Sequence, residues 1–320
     1  MTQKMIFSDL QKNDIANKYL LDRMTVQKIS LCYGISVTPI KSVLKELNVQ
    51  IREPEETSRV YPVNENYFDN IDSFDKAYFL GLMFADGYNS EERQAITLSL
   101  VNKDRHILEE FVKCLNTNKP IRYSKSKTHS DTCNITICSK NISQRLAQLG
   151  CMQAKSLKIK FPDYLREDLI RHFIRGYFDG DGCFSCNVRK KKDSSKTTFS
   201  SVVTFTSTED FCLYLRKYFE DKFNIHSYLS CRHPNNKNNN RTLAISGNKQ
   251  VIKIMQWMYD DTDLYLKRKH DKFIEFCKIR EDRLIAANKL RSANGKIVMA
   301  NFNRKMKEKK WQKENTIQAE

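Results

Sequence analysis

No stretch of this 320-residue chain is apolar over the roughly 18–20 residues a membrane-spanning helix needs. Residues 1–9 lack the apolar core of a secretory signal. Both absences argue against membrane insertion and export. The ten cysteines are then expected as reduced thiols rather than disulfides. The expected setting is cytoplasmic, in a bacterial or phage-infected cell and nucleoid-associated, with an organelle matrix as the other possibility. Acids are the minority charge: 38 Asp and Glu face 55 Lys and Arg, a formal net charge of +17. That imbalance favours a polyanionic partner, nucleic acid before an anionic membrane. Hydrophobic residues at 40% exclude a disordered chain. Glycine is also scarce, and five of the nine glycines fall within two short stretches.

Those stretches say nearly the same thing. Residues 79–87 read FLGLMFADG and residues 174–182 read IRGYFDGDG. Each is an apolar helical run with small residues four apart, Gly81/Ala85 and Gly176/Gly180. Small residues at that spacing share one helix face and let two backbones approach closely. Each run ends in Asp-Gly, at Asp86-Gly87 and Asp181-Gly182, and each glycine suits a left-handed helix cap. The repeat predicts two halves meeting at a helix–helix seam, with Asp86 and Asp181 side by side at one end. A carboxylate there faces the negative end of its helix dipole, and the two repel each other. A divalent cation between them offsets both penalties, and oxygen ligands suit Mg²⁺, which works on phosphates. A basic protein with such a centre is a candidate for cutting phosphodiesters.

The rest of the chain reads as an organised α+β protein. Residues 1–52 form a small all-α module. Asn13 or Asp14 caps a first helix with Ile15, Tyr19 and Leu20 inward. Thr25 caps a second, with Val26, Ile29 and Leu31 inward. Gly34 makes the turn, and Ser36 caps a third helix with Ile40, Val43, Leu44 and Leu47 inward. This is a helix-turn-helix pattern, whose third helix offers Val37, Thr38, Lys41, Ser42 and Lys45 to DNA; a helical packing or dimerisation module is the alternative. Residues 53–66 read as a linker. From residue 67 the order is α-β-β-α-β-β-α, twice, over 67–165 and 166–277. Residues 278–320 are a basic tail, consistent with a further contact to the DNA backbone.

The two motifs resemble those of the LAGLIDADG (dodecapeptide) homing endonucleases, of the single-chain, two-motif kind. Leu149-Gly150, Lys155-Ser156 and Phe161-Pro162, and later residues 264–269 (LYLKRK), resemble the family as well. The resemblance implies two pseudo-symmetric αββαββα halves, with antiparallel sheets forming a DNA saddle. It implies a monomeric, site-specific endonuclease that cuts both strands of double-stranded DNA with Mg²⁺ (Mn²⁺ substituting), with no membrane partner and no small-molecule substrate. By position it assigns the metal to Asp86 and Asp181, with Gly87 and Gly182 beside them, and a catalytic lysine to each half: Lys155, and Lys269 with Lys267 close behind. The chain departs from the family pattern at Phe84, where copy two has Asp179; the position reads as variable packing, with Asp179 a candidate acid that supports the metal-holding one from behind. A DNA-binding regulator or RNA-splicing maturase that kept the fold and lost cleavage is the alternative. An intein-embedded nuclease is not expected.

The loop tips are polar and basic: Arg122, Lys125 and Lys127 in one half, Arg189, Lys190, Lys191, Arg232 and Arg241 in the other. Phosphate contacts need Lys and Arg, and base edges suit Arg and Asn. Their difference between halves implies an asymmetric target. Cys183, Cys186, Cys231 and His233 have zinc-like spacing, but Cys183 and Cys186 face opposite sides of one expected strand.

Overall fold

A computed structural model describes residues 7–22, 24–51, 60–126, 128, 130–190, 197–231 and 239–317. The chain divides into two units, Met1–Pro62 and Val63–Glu320.

The first unit is three helices, α1 (Asp9–Leu20), α2 (Val26–Tyr33) and α3 (Val37–Glu46). They close on a core of Ile15, Tyr19, Val26, Ile29, Ile40, Val43 and Leu44. Helix α1 starts earlier than Asn13 or Asp14: Ser8 caps it, in a reciprocal capping box with Gln11. Thr25 accepts from the Lys28 N–H, and Gly34 ends α2 in the left-handed region at φ 62°. Leu20 and Leu31 are exposed rather than inward, because the stripe that packs is carried by Ile15, Tyr19, Val26 and Ile29. Val37 packs partly against the core, while Thr38, Lys41, Ser42 and Lys45 are exposed along α3.

The second unit carries the repeat. Its first half runs α4 (Phe74–Ala85), β1 (Gly87–Ser90), β2 (Ala95–Val101), α5 (Arg105–Cys114), β3 (Arg122–Ser124), β4 (Thr132–Cys138) and α6 (Lys140–Gln148). Its second half runs α7 (Glu167–Asp181), β5 (Gly182–Lys190), β6 (Thr197–Thr208), α8 (Glu209–Phe223), β7 (Ser227–Ser230), β8 (Asn240–Ser246) and α9 (Asn248–Tyr259). Each half forms a four-stranded antiparallel sheet, in the equivalent orders β1-β2-β4-β3 and β5-β6-β8-β7. The registers also correspond: Gly87 lies opposite Leu98 and Gly182 opposite Phe205.

Alternation along the strands buries Ile96, Leu98 and Leu100, and Val203 and Phe205, against the helices. The other face carries Thr97, Ser99, Asn134 and Thr136 in one sheet and Thr204, Thr206 and Thr242 in the other, with Thr97 and Thr136 hydrogen-bonded at 2.9 Å. The halves differ in reach, since β5 and β6 extend well beyond the short β1–β2 hairpin.

A last helix, α10 (Lys267–Ile317), continues through the basic segment from residue 278. Its first turns clamp both halves together. Arg268 pairs with the buried Asp104 of the first half at 2.8 Å, and Tyr265 O lies 3.1 Å from His106 Nε2. Phe273 and Phe276 pack on Phe184 of the second half.

Candidate active site at the helix seam

The seam between α4 and α7 is built by glycine. A Cβ on Gly81 would lie 2.1 Å from Phe173 O, and one on Gly176 would lie 2.0 Å from Tyr78 O. A Cβ on Gly180 would lie 2.3 Å from the Ala85 Cβ. The blocking atoms at Gly81 and Gly176 are backbone, so no side-chain rotation relieves them. Helix backbone therefore touches helix backbone along this line, as the small-residue spacing predicts.

Gly87 and Gly182 do a different job from the expected left-handed cap. Gly182 is extended, at φ −83° and ψ 156°, and both glycines are the first residues of strands. The chain passes directly from helix to strand with almost no room. A Cβ would lie 2.6 Å from Met83 O at Gly87 and 2.1 Å from a Phe178 ring carbon at Gly182. Close approach, not positive φ, requires glycine there.

Asp86 and Asp181 stand at the ends of α4 and α7, open to solvent on one side. The Asp86 carboxyl is raised to about 6, by burial first and by the Asp181 charge second. Burial also raises Asp181. The seam thus holds two carboxylates under electrostatic stress.

The fold answers that stress with two buried lysines. Lys155 Nζ donates to Gly87 O at 2.5 Å and Ala85 O at 3.2 Å. Lys269 Nζ donates to Gly182 O at 2.6 Å, Phe178 O at 2.6 Å and Gly180 O at 3.3 Å. The two sets are equivalent under the repeat. Each lysine caps the carbonyl end of a motif helix, where a cation is favoured. Lys155 and Lys269 are only 9% and 8% exposed, and burial brings Lys269 down to about 8. Lys267 is exposed and makes no such contact among the described hydrogen bonds, so Lys269 is the lysine the fold places at the seam.

Asp179 lies in the interior rather than facing solvent with the carboxylate pair. It is fully buried and accepts from Tyr78 OH, Tyr259 OH and the Leu266 N–H, each at 2.8 Å. Burial raises its carboxyl. The counterpart Phe84 packs edge-on against Phe173.

Among the described residues, no three His, Cys, Asp or Glu side chains converge as a ready metal site. That holds for Cys183, Cys186 and Cys231 too; His233 lies outside the described residues. The seam offers two carboxylates and the carbonyls of Gly87 and Gly182, which already accept from the lysines. This donor set fits a hard divalent cation completed by water and phosphate oxygens, and it does not suit Zn²⁺.

The DNA-contact candidates are spread over several places. Arg122 lies opposite Asn134 on the open sheet face, and Lys125 follows it, exposed. Arg189 and Lys190 end β5, opposite Thr198 and Thr197. Lys127, Lys191 and Arg232 lie outside the described residues. Arg241 is a correction: it shares the helix-side parity of Leu243 and Ile245 and pairs with Glu209 at 3.0 Å. Sequence reading passed over Thr97, Ser99, Asn134, Thr136, Thr204 and Thr242, although the alternation of β2 and β6 contained the signal.

A family model described as a LAGLIDADG-like domain matches residues 168–256. The Replication factor C small subunit of Methanocaldococcus jannaschii is 28% identical over 140 residues, covering 43% of this chain and 7% of that protein. Among solved structures, the I-LtrWI LAGLIDADG homing endonuclease bound to target DNA aligns at 13% identity and a TM-score of 0.47, covering 68% of this chain and 90% of that one. The LAGLIDADG meganuclease I-AabMI bound to uncleaved DNA aligns at 15% identity and a TM-score of 0.43, covering 64% and 89%. Residues 168–256, which begin with α7 and Asp181 and run into α9, are thus similar to a LAGLIDADG-like domain.

Proposed function

We propose that this chain is a site-specific DNA endonuclease that cuts both strands of double-stranded DNA with Mg²⁺, Mn²⁺ substituting. One observation carries the reading: a basic chain forces two carboxylates together against their own repulsion and backs each with a buried lysine. Stability alone selects against that arrangement. Catalysis at a phosphodiester gives it a purpose.

Asp86 and Asp181 are the groups that would hold the cation. Bound there, Mg²⁺ supplies Lewis-acid polarisation and neutralises phosphate charge. Lys155 and Lys269 hold the carbonyl ends of α4 and α7, which fixes both carboxylates. They also place positive charge where the phosphorane gains negative charge. Water attacks in line and the 3′-oxygen leaves. Two halves give two centres, so one chain suffices for two strands. The Thr, Ser and Asn residues of the open sheet faces, with Arg122, suit base edges. The unequal reach of the hairpins fits an asymmetric target.

Thr38, Lys41, Ser42 and Lys45 form the exposed side of α3 and are the proposed contacts of the first unit. Replacing Lys41 and Lys45 with alanine is expected to weaken binding similarly on all DNA sequences. It should lower the slope of log affinity against log salt by about 2, one per lost phosphate contact. Titrations at several salt concentrations measure this; an unchanged slope places α3 away from DNA.

The test of the function is incubation with DNA carrying the uninterrupted insertion locus. Linear product is expected with Mg²⁺ and none with chelator. Tight specific binding with no product in Mg²⁺ would favour the regulator or maturase reading instead.

A further inference from the structure

Each lysine follows the last helix of its half, Lys155 on a short 3₁₀ turn and Lys269 on the start of α10, and each piece is tied down by one buried polar side chain. In the first half that side chain is Asn89, 1% exposed on β1. Its amide donates to Ser143 O and Cys151 O, both at 2.9 Å, and its oxygen accepts from Ser143 Oγ at 2.7 Å. Cys151 opens the loop that leads to Lys155. That loop then passes through Ala154 in the left-handed region, at φ 53°, and a short 3₁₀ turn, Lys155–Leu157. A non-glycine residue there costs about 1 kcal/mol and persists only when its surroundings hold it.

In the second half the side chain is Asp179. Its carboxylate takes the Leu266 N–H, and the Leu266 carbonyl in turn accepts the Lys269 N–H at 3.0 Å. Asp179 thereby fixes the start of α10, one turn before Lys269 reaches the seam. Tyr78 and Tyr259 saturate the rest of the carboxylate.

The two anchors occupy non-equivalent positions of the repeat. Where the first half has Asn89, the second has Phe184; where the second has Asp179, the first has Phe84. Each half uses one polar anchor and one phenylalanine, in exchanged places. Their bonds do not overlap.

We propose that Asn89 and Asp179 are positioning residues, Asn89 for Lys155 and Asp179 for Lys269, so that each governs the cutting of one DNA strand. The strand-level part rests on the endonuclease reading; the positioning part does not.

Two readouts on the full chain test it. The first is labelling of the native protein with an amine-reactive reagent, read lysine by lysine by mass spectrometry. Asn89→Ala is expected to raise labelling of Lys155 about tenfold and leave Lys269 unchanged; Asp179→Ala is expected to do the reverse. Tenfold corresponds to a modest loosening of about 1.4 kcal/mol. Asp179→Asn, which keeps the side chain's shape, is expected to restore most of the protection; Asp179→Ser, whose shorter side chain does not reach the Leu266 N–H, replaces Asp179→Ala if that variant does not fold. The second readout is cleavage of target DNA labelled separately on each strand. The two variants are expected to slow opposite strands, each by up to ~10²-fold, the effect of a misplaced catalytic group. Exposure of both lysines together, or of neither, overturns the proposal, and so does equal slowing of both strands. A wild-type chain that cuts neither strand sinks the endonuclease reading alone, because labelling still decides the positioning.

Discussion

Gly176→Val is expected to cost the second unit about 4–5 kcal/mol, the extreme end for one substitution. The position shows why. Even a single methyl at Gly176 would sit 2.0 Å from Tyr78 O and 3.0 Å from Leu82 N. These atoms belong to the backbone of α4, so only separation of the two helices relieves the overlap. Separation in turn breaks the contacts of Tyr78, Phe173 and Tyr177, all fully or almost fully buried. Gly34→Ala is the contrasting control. Gly34 has positive φ, but nothing lies within 4 Å of its added Cβ, so the cost should stay near 1 kcal/mol. Denaturant unfolding of the full chain reads both. A loss below 1 kcal/mol for Gly176→Val would mean that the seam is not close-packed.

The double variant Asp86→Asn/Asp181→Asn is expected to stop cleavage and to make the fold more stable at neutral pH. Both effects have one cause. A carboxyl raised from 3.8 to about 6 binds its proton more tightly in the folded chain than in the unfolded one. The stability linked to Asp86 is therefore present below about 3.8 and is lost as pH rises through about 6. Above that, the wild-type chain carries the full penalty and the amide does not. A shift of this size is worth about 3 kcal/mol for a buried group; the solvent-facing side of Asp86 reduces the expected gain to about 1 kcal/mol. For a unit of this size that raises the melting temperature by roughly 2–4 °C. The gain should vanish below pH 4, where both forms are neutral. Melting curves at pH 4 and pH 8 check it, and a variant less stable than wild type at pH 8 would contradict the electrostatic account.

What the sequence disclosed was local and periodic. Gly81/Ala85 and Gly176/Gly180 announced the seam, and the Asp-Gly pairs announced its end, because i, i+4 spacing is a property of one helix. The α-β-β-α-β-β-α order, read twice from residue 67, likewise matches the two halves. What it concealed was set by contacts from afar. Asp179 reads as a supporting acid, but what it supports is set by Tyr259 and Leu266, more than 75 residues away, which close over it. Asn89 sits on a four-residue strand too short to show a pattern. Arg241 looked like a loop-tip base until its register put it on the helix side, against Glu209. Gly87 and Gly182 were identifiable as necessary glycines, but steric crowding by Met83 and Phe178 is a tertiary fact. Lys155 and Lys269 lie far from their motifs in sequence; the resemblance pairs them, but the choice of Lys269 over Lys267 and the shared carbonyl partners are tertiary facts.

On the proposed function, one chain carries two cutting centres, one per half, at Asp86 and Asp181. Nucleotide-level mapping of the ends produced on target DNA in Mg²⁺ tests it most directly. One cut on each strand is predicted, with both cuts absent in the double Asn variant. An uncut target, cuts confined to one strand at completion, or cuts that survive in the double variant would contradict it.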